Sequence, residues 1–568
     1  MTPIRTLLRS RPTPIGRAVL AVLIAGIGLF GVAADGARAL ELDLEPTALD
    51  RLPDPGVQVD EEGIHLSLDQ AITVALRRNL GLVIERYNWI QSHHGVLQNL
   101  GIYDLQLTGG LNYRDTTQPT VAAVEGVPVT QETAESYQLG LTQLVPTGGT
   151  LELTTFGFTQ DTNSRNVFLN PFYQAGTDLT YTQPLLRNFG TLPTERNILV
   201  ARAQQTQSME IVEQQVATTI QEVEIAYWDL VEARNQLVVA QEALRLAQTL
   251  HEQNRIRVEV GTLAPLELVQ SEAGIAGREE DIIRAEAAIG DAADRLRQLL
   301  NLDEGRLWEL PIVPETDPES ERISVDVNEA IQTALQERPE IASELARIET
   351  LEIDTEYFRD QILPQIDLVL NYNLSGLSGD VDEMVDPVTG EITPAQMGGF
   401  GDSYEQILDR DFDEWSVQLQ FSYPLQNRQR REQKIIADLA LEQGLAGLEQ
   451  LRKQIITEVR TTARGVETAA KQIESARVSR RLEERNLEAE RKRYENGMSS
   501  SFRVLQIQED LTQARSREVT AVTTYRTALA RYYRAIGRLL EQKGVEIDGG
   551  SVAEGRRFGL GGLFRSGA

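Results

Sequence analysis

The chain has 568 residues, no cysteine and a formal net charge of −30. The missing thiols exclude a disulfide framework, thiolate metal sites and attachment of lipid to an N-terminal cysteine. The acidic balance argues against nucleic acid as a partner, and it would make any enclosed lumen attractive to cations.

The first residues carry Arg5, Arg9, Arg11 and Arg17, then the apolar run AVLAVLIAGIGLFGVAA and Ala37-Arg38-Ala39. This pattern predicts a secretory signal over 1–39 with an A-x-A cleavage site. The alternative, an N-terminal membrane anchor, would need a longer apolar run. Cleavage removes five arginines and Asp35, a net +4, and leaves the mature chain near −34. No later stretch approaches a transmembrane helix, so a mature chain that enters a membrane does so as β-strands.

After an N-terminal segment at 40–63, the chain repeats itself. LSLDQAITVAL (Leu66 to Leu76) returns as ISVDVNEAIQTAL (Ile323 to Leu335), and each copy leads through alternating segments into a long heptad helix broken at a glycine. The offset is 259 at Leu76 and Leu335, 240 at Pro184 and Pro424, and 236 at Gly261 and Gly497. Most of the change falls among the strands, so the first copy carries an insertion there. The predicted organisation is a first repeat at 64–312, a linker at 313–322, a second repeat at 323–542, and a glycine-rich tail at 543–568 expected to be disordered.

Helices are predicted over about Leu68 to Leu100, Thr191 to Val260 and Leu263 to Asn301, with a second long helix from Asn427 to Asn496. Val216, Val223, Leu230, Leu237 and Leu244 recur every seven residues, and Ala226, Ala233, Ala240 and Ala247 follow three places behind. In the second copy Val459, Val466 and Ile473 share a phase with Ala469 and Ala476. Alanine at d lets helices approach closely. Beyond Gly497, Ile507, Ala514, Ala521, Ala528 and Ala535 form one row, and Val504, Leu511, Tyr525 and Tyr532 another, interrupted by Glu518. A 70-residue helix spans roughly 105 Å at ~1.5 Å per residue, and the two shorter helices of each copy together match that length.

Strands are predicted where apolar and polar residues alternate. Leu105, Leu107, Leu111 and Tyr113 begin the first copy, then Tyr137, Leu139 and Leu141, a Pro-Thr-Gly-Gly turn at 146–149, Leu151 and Leu153, and Leu179 with Tyr181. The second copy offers Ile366 to Leu374 and Trp415 to Tyr423. Period two with aromatic ends fits lipid-out, lumen-in barrel strands, although a soluble sandwich face reads alike. So few strands cannot close a barrel in one chain, which makes oligomerisation a requirement. The acidic segment 376–414 is expected to be an extracellular loop. Its Asp380, Asp382, Glu383 and Asp386 do not match a calcium-loop spacing, and no metal site is expected.

LSLDQAITVALRRN, the junctions Gln183-Pro184-Leu185 and Tyr423-Pro424-Leu425, and the breaks RVEVGTLAPLELVQSEA and RYENGMSSSFRVLQIQEDLTQAR resemble the TolC family of outer-membrane efflux proteins. The resemblance implies a mixed α/β membrane fold: a homotrimeric β-barrel of 12 or 18 strands in outer-membrane lipid, continued by an α-helical barrel across the periplasm. It implies a passive exit duct of a tripartite efflux pump or type I secretion system, with a periplasmic adaptor and an inner-membrane transporter as partners. It makes Gly261 and Gly497 the adaptor-docking hairpin tips.

Family members often carry aspartates six and nine residues beyond the second tip glycine. Here Arg503 and Gln506 stand there, and Glu267 holds the matching place in the first copy. An aspartate ring is therefore not expected. Glu267 and Arg503 from neighbouring hairpins are instead expected to pair, a partly exposed contact worth at most about 1 kcal/mol.

Catalysis finds no support. The histidines, His65, His93, His94 and His251, are scattered, and adjacent ones on a helix face different directions. No cofactor is expected. Two other classes fit part of the sequence: a periplasmic adaptor, which normally has one hairpin and no duplication, and a secreted structural coiled coil, which leaves the aromatic strands without a use.

Overall fold

The computed structural model describes residues 57–60, 63–120, 125–164, 167, 169–302, 305–318, 322–381, 398–547 and 564–566. The expected signal segment lies outside them. In chain order, strands β1 (Gln58–Val59) and β2 (Ile64–Leu66) precede helices α1 (Leu68–Arg78) and α2 (Leu80–Leu100). Strands β3 (Gln106–Pro119), β4 (Val129–Leu144), β5 (Thr150–Thr162) and β6 (Leu169–Pro184) lead to α3 (Thr191–Glu259) and α4 (Pro265–Leu300). After β7 (Ile312–Pro314) come α5 (Val327–Glu337), α6 (Pro339–Gln361), β8 (Gln365–Val381), α7 (Phe400–Asp409), β9 (Asp413–Ser422), α8 (Arg428–Glu495) and α9 (Ser501–Ala535).

The long helices match their predicted bounds within a residue or two. The predicted helix over Leu68 to Leu100 is instead two helices, interrupted at Asn79, whose backbone turns to φ −60°, ψ 122°. Its side chain stabilises the break by donating to the Leu299 carbonyl at 2.9 Å and accepting from Leu82 N–H at 3.3 Å. At the corresponding break between α5 and α6, Arg338 is extended ahead of Pro339. Proline disfavours helical backbone in the residue before it.

The chain folds into two compact units. One consists of the described residues of 97–199 and 353–437, the other of the described residues of 46–96, 200–352 and 438–568. The first holds a six-stranded antiparallel sheet in the order β3-β4-β5-β6-β8-β9. The Pro-Thr-Gly-Gly turn joins β4 to β5 inside this sheet, so all four strands of the first half belong to it. Register places Leu107, Leu141, Leu153, Leu179, Tyr372 and Trp415 in one row across all six strands. Alternation puts Gln138, Thr154, Asp178, Asn371 and Gln418 on the opposite face. One face is thus apolar along these rows, with Asp115, Glu135, Asp161 and Asp413 on it toward the far end of the sheet, and the other is polar in the matching rows. Among the described residues, the outer strands β3 and β9 each leave one edge unpaired.

The expected acidic loop at 376–414 is replaced, among the described residues, by the end of β8 and by α7. Phe400, Ser403, Tyr404 and Ile407 recur at helical spacing and face the sheet, which is why this stretch does not remain a loop.

In the second unit the heptad positions form the core. Val216, Val223, Ala226, Tyr227, Trp228 and Leu230 of α3 pack with α1 and the end of α4, and Val459, Val466, Ala469 and Ile473 of α8 pack with Ala521, Tyr525 and Tyr532 of α9. Each large side chain fully buried in this way contributes roughly 1.5–3 kcal/mol. Ser67 caps α1 with a reciprocal box, accepting from Gln70 N–H while Gln70 accepts from Ser67 N–H. In the tail expected to be disordered, Lys543 pairs with Glu224 at 3.1 Å and Val545–Ile547 pairs antiparallel with Phe564–Ser566, while 548–563 and 567–568 lie outside the described residues.

Candidate functional site

The α3–α4 and α8–α9 hairpins turn in the same way. Gly261 and Gly497 adopt φ +75° and +71°, the left-handed region that a side chain penalises. Thr262 N–H reaches back to the Arg257 carbonyl at 2.8 Å and Met498 N–H to the Arg493 carbonyl at 2.9 Å, closing a Schellman motif at each end. Pro265 then opens α4, and the Ser500 side chain caps α9 by accepting from Arg503 N–H.

Behind the turns the hairpins share a core of Leu246, Leu250, Leu487, Tyr494, Val504, Ile507 and Leu511. Polar contacts reinforce it. Tyr494 donates its hydroxyl proton to Asn254, which is fully buried. Arg257 donates to the Tyr494 carbonyl at 3.1 Å, and its guanidinium lies 4.4 Å from the Tyr494 ring centre. Burial raises the Tyr494 hydroxyl pKa, and the Arg257 charge opposes that rise. Ser501 donates to the Glu267 carboxylate, and Ser499 to Glu490 at 2.5 Å.

The expected gate residues therefore have other partners in the chain. Glu267 is bound by Ser501, and Arg503 donates to Gln506 at 2.8 Å on an exposed surface. No ion pair joins Glu267 to Arg503 within one chain. Tyr494, Asn254 and Arg257 were not singled out from sequence. The only signal was a tyrosine three residues before the tip glycine, on the face that carries the heptad row.

Apolar side chains surround the turns. Val260, Leu266, Met498 and Phe502 are all more than half exposed. Further up, the core between α8 and α9 is interrupted between Ile473 and Leu487 by a belt of charge. Glu518, the residue that breaks the heptad row, is bound by Arg480 and lies 3.8 Å from Arg477. Arg480 reaches Glu484 at 2.9 Å, and Arg515 reaches Glu484 at 3.4 Å and Glu242 of α3 at 3.9 Å.

The other predicted positions are the two prolines. Pro184 is the last residue of β6, paired with Asp367, and Leu185 N–H continues the ladder to the Ile366 carbonyl at 2.7 Å. Pro424 lies between β9 and α8. Among the described residues, no group of acidic and histidine side chains is arranged to hold a metal ion, and no helix is long and apolar enough to cross a membrane.

A six-stranded sheet with one apolar and one polar face, together with paired long helical hairpins, defines an outer-membrane channel class of fold. The model of the outer membrane efflux protein family matches residues 133–302 and 330–538, more than half of the chain, and the chain belongs to that family. The fold is similar to the outer-membrane channel OprN, at 16% identity and a TM-score of 0.60, covering 83% of this chain and 89% of that one. It is similar to the Campylobacter jejuni CmeC outer membrane channel, at 14% identity and 0.60, covering 83% and 86%. The open state of the Neisseria gonorrhoeae MtrE outer membrane channel is similar at 16% and 0.56, covering 83% and 89%. No curated protein matches the chain in sequence. The resemblance to the TolC family and the outer-membrane localisation are borne out, and the adaptor and secreted coiled-coil alternatives are set aside.

Proposed function

We propose that the protein is a passive exit duct of the outer membrane, working as a homotrimer with a periplasmic adaptor and an inner-membrane transporter. The observation that carries this is the six-stranded sheet: apolar on one face, polar on the other, and unpaired at β3 and β9. An open edge in lipid costs several kcal/mol per unpaired group, so the edges must meet other copies. Three copies joined β9 to β3 close a barrel of 18 strands.

The two halves read as a duplicated unit, since helices of 69 and 68 residues are followed by helices of 36 and 35 across equivalent glycine turns. In this reading the long hairpins continue the barrel as a helical tunnel through the periplasm. The exposed apolar residues around Gly261 and Gly497 receive the adaptor. The closed mouth is held by the contacts of Tyr494 with Asn254 and Arg257 and of Ser501 with Glu267, and an adaptor that parts the hairpins opens it. No catalytic step is assigned to the chain, and energy comes from the transporter. A tripartite efflux pump and a type I secretion system both fit this duct.

The test is the mass of the purified, detergent-extracted particle. Three chains per particle, with aggregation when detergent is removed, is the expected result. A monodisperse monomer that needs no detergent would overturn the proposal.

A further inference from the structure

The small helix α7 lies on an unexpected side of the sheet. Gly157 of β5, Ala175 of β6 and Gly376 of β8 stand in one row. Four residues along the same strands stand Leu153, Leu179 and Tyr372, an even step that keeps the same face. That face is the apolar one. Ala175 is fully buried, and a Cβ on Gly376 would run into the Ser403 carbonyl, so the absence of a side chain on Gly376 admits the helix backbone, while the Tyr137 ring fills the space over Gly157.

Aromatic and polar contacts fix α7 there. The Phe400 ring packs 5.6 Å from Tyr137 and 6.2 Å from Tyr173. Tyr137 donates to the Tyr404 hydroxyl at 2.8 Å, and Tyr404 to the Phe156 carbonyl at 3.2 Å. Past the end of β9, Gln406 accepts from Leu377 N–H at 2.9 Å and donates to the Leu377 carbonyl at 3.1 Å, replacing a strand partner on β8. The helix is thus a built part of the wall.

Its outer side is left with Leu408, 82% exposed. The chain continues directly into Trp415 and Val417 of β9, which are 71% and 60% exposed. We infer that α7 is an interfacial helix seated on the outer wall of the barrel, with Leu408 entering the acyl boundary of the outer leaflet. The inference rests on the reading of the apolar face as the lipid-facing one, the face on which α7 and Leu408 lie. It lies at the end of the sheet away from the entries to α3 and α8, hence the outer leaflet. An amphipathic helix in such a plane buries its apolar side chains by about 5–10 Å. The exposed Asp402, Glu405 and Asp409 stay among the headgroups.

The absence of cysteine makes single-site labelling of the full chain direct. Trimers of Leu408→Cys, Val417→Cys and Gln418→Cys, each nitroxide-labelled, are placed in phosphatidylethanolamine–phosphatidylglycerol vesicles, and collision with oxygen is compared with collision with a water-soluble nickel chelate. The Leu408 label should match the Val417 label, with an oxygen-to-nickel ratio several-fold above that of the Gln418 label. If the Val417 label favours oxygen while the Leu408 label favours nickel, or is reached by neither because a second copy covers it, the inference fails and the barrel reading stands. If the Val417 label itself behaves like the Gln418 label, the barrel reading fails and the inference with it.

Discussion

At each hairpin tip one glycine carries a backbone conformation that costs other residues about 1–2 kcal/mol. Gly497→Val should therefore leave trimer assembly intact, lower the thermal midpoint slightly and abolish efflux, because the reversal that presents Met498 and Phe502 is lost. Normal efflux from this variant would contradict the docking role. Tyr494→Phe removes the hydroxyl that satisfies Asn254, whose amide nitrogen already lacks a partner. The expected cost is about 1–2 kcal/mol, with a larger open fraction in single-channel records. Glu213 supplies the pH prediction. Burial, then Glu337 and Glu340, raise its pKa. A raised carboxyl pKa stabilises the fold below the unfolded value, and that contribution is lost as pH rises through the folded value. Glu213→Gln should raise the melting midpoint at pH 8 and leave it unchanged at pH 4; no difference at pH 8 would refute the assignment.

At the scale of elements, the charge belt divides the α8–α9 core into a cluster ending near Ile473 and another beginning near Leu487. Glu518→Ala leaves Arg480 with Glu484 as its one remaining carboxylate and should cost roughly 1–2 kcal/mol, measured by denaturant unfolding; a neutral result would mean that the belt is solvated surface charge. The heptad helices were legible because a regular apolar row over 70 residues has no competing reading. The break at Asn79 was not, since it depends on the distant Leu299 carbonyl. Helix α7 was missed although Phe400, Ser403, Tyr404 and Ile407 have helical spacing, because ten residues inside an acidic, glycine-containing stretch give a weak period. At the tips, sequence located the glycines, whose role is local. It did not find Asn254 and Tyr494, whose contact joins residues 240 positions apart.

At the scale of the whole molecule, the polar face of the sheet carries Glu132, Glu152, Asp178, Asp367 and Glu414 against Arg114. In the proposed trimer these side chains face a common lumen and give it a cation-attracting field, in line with the net charge of −30. The most direct measurement is single-channel recording of the purified trimer in a planar bilayer under a salt gradient, with the Tyr494→Phe trimer alongside it. Discrete, long-lived, cation-preferring conductances, more often open in the variant, are the predicted result. Silence from both trimers, or an anion-preferring current, would contradict the account of a lipid-embedded duct with an acidic lumen.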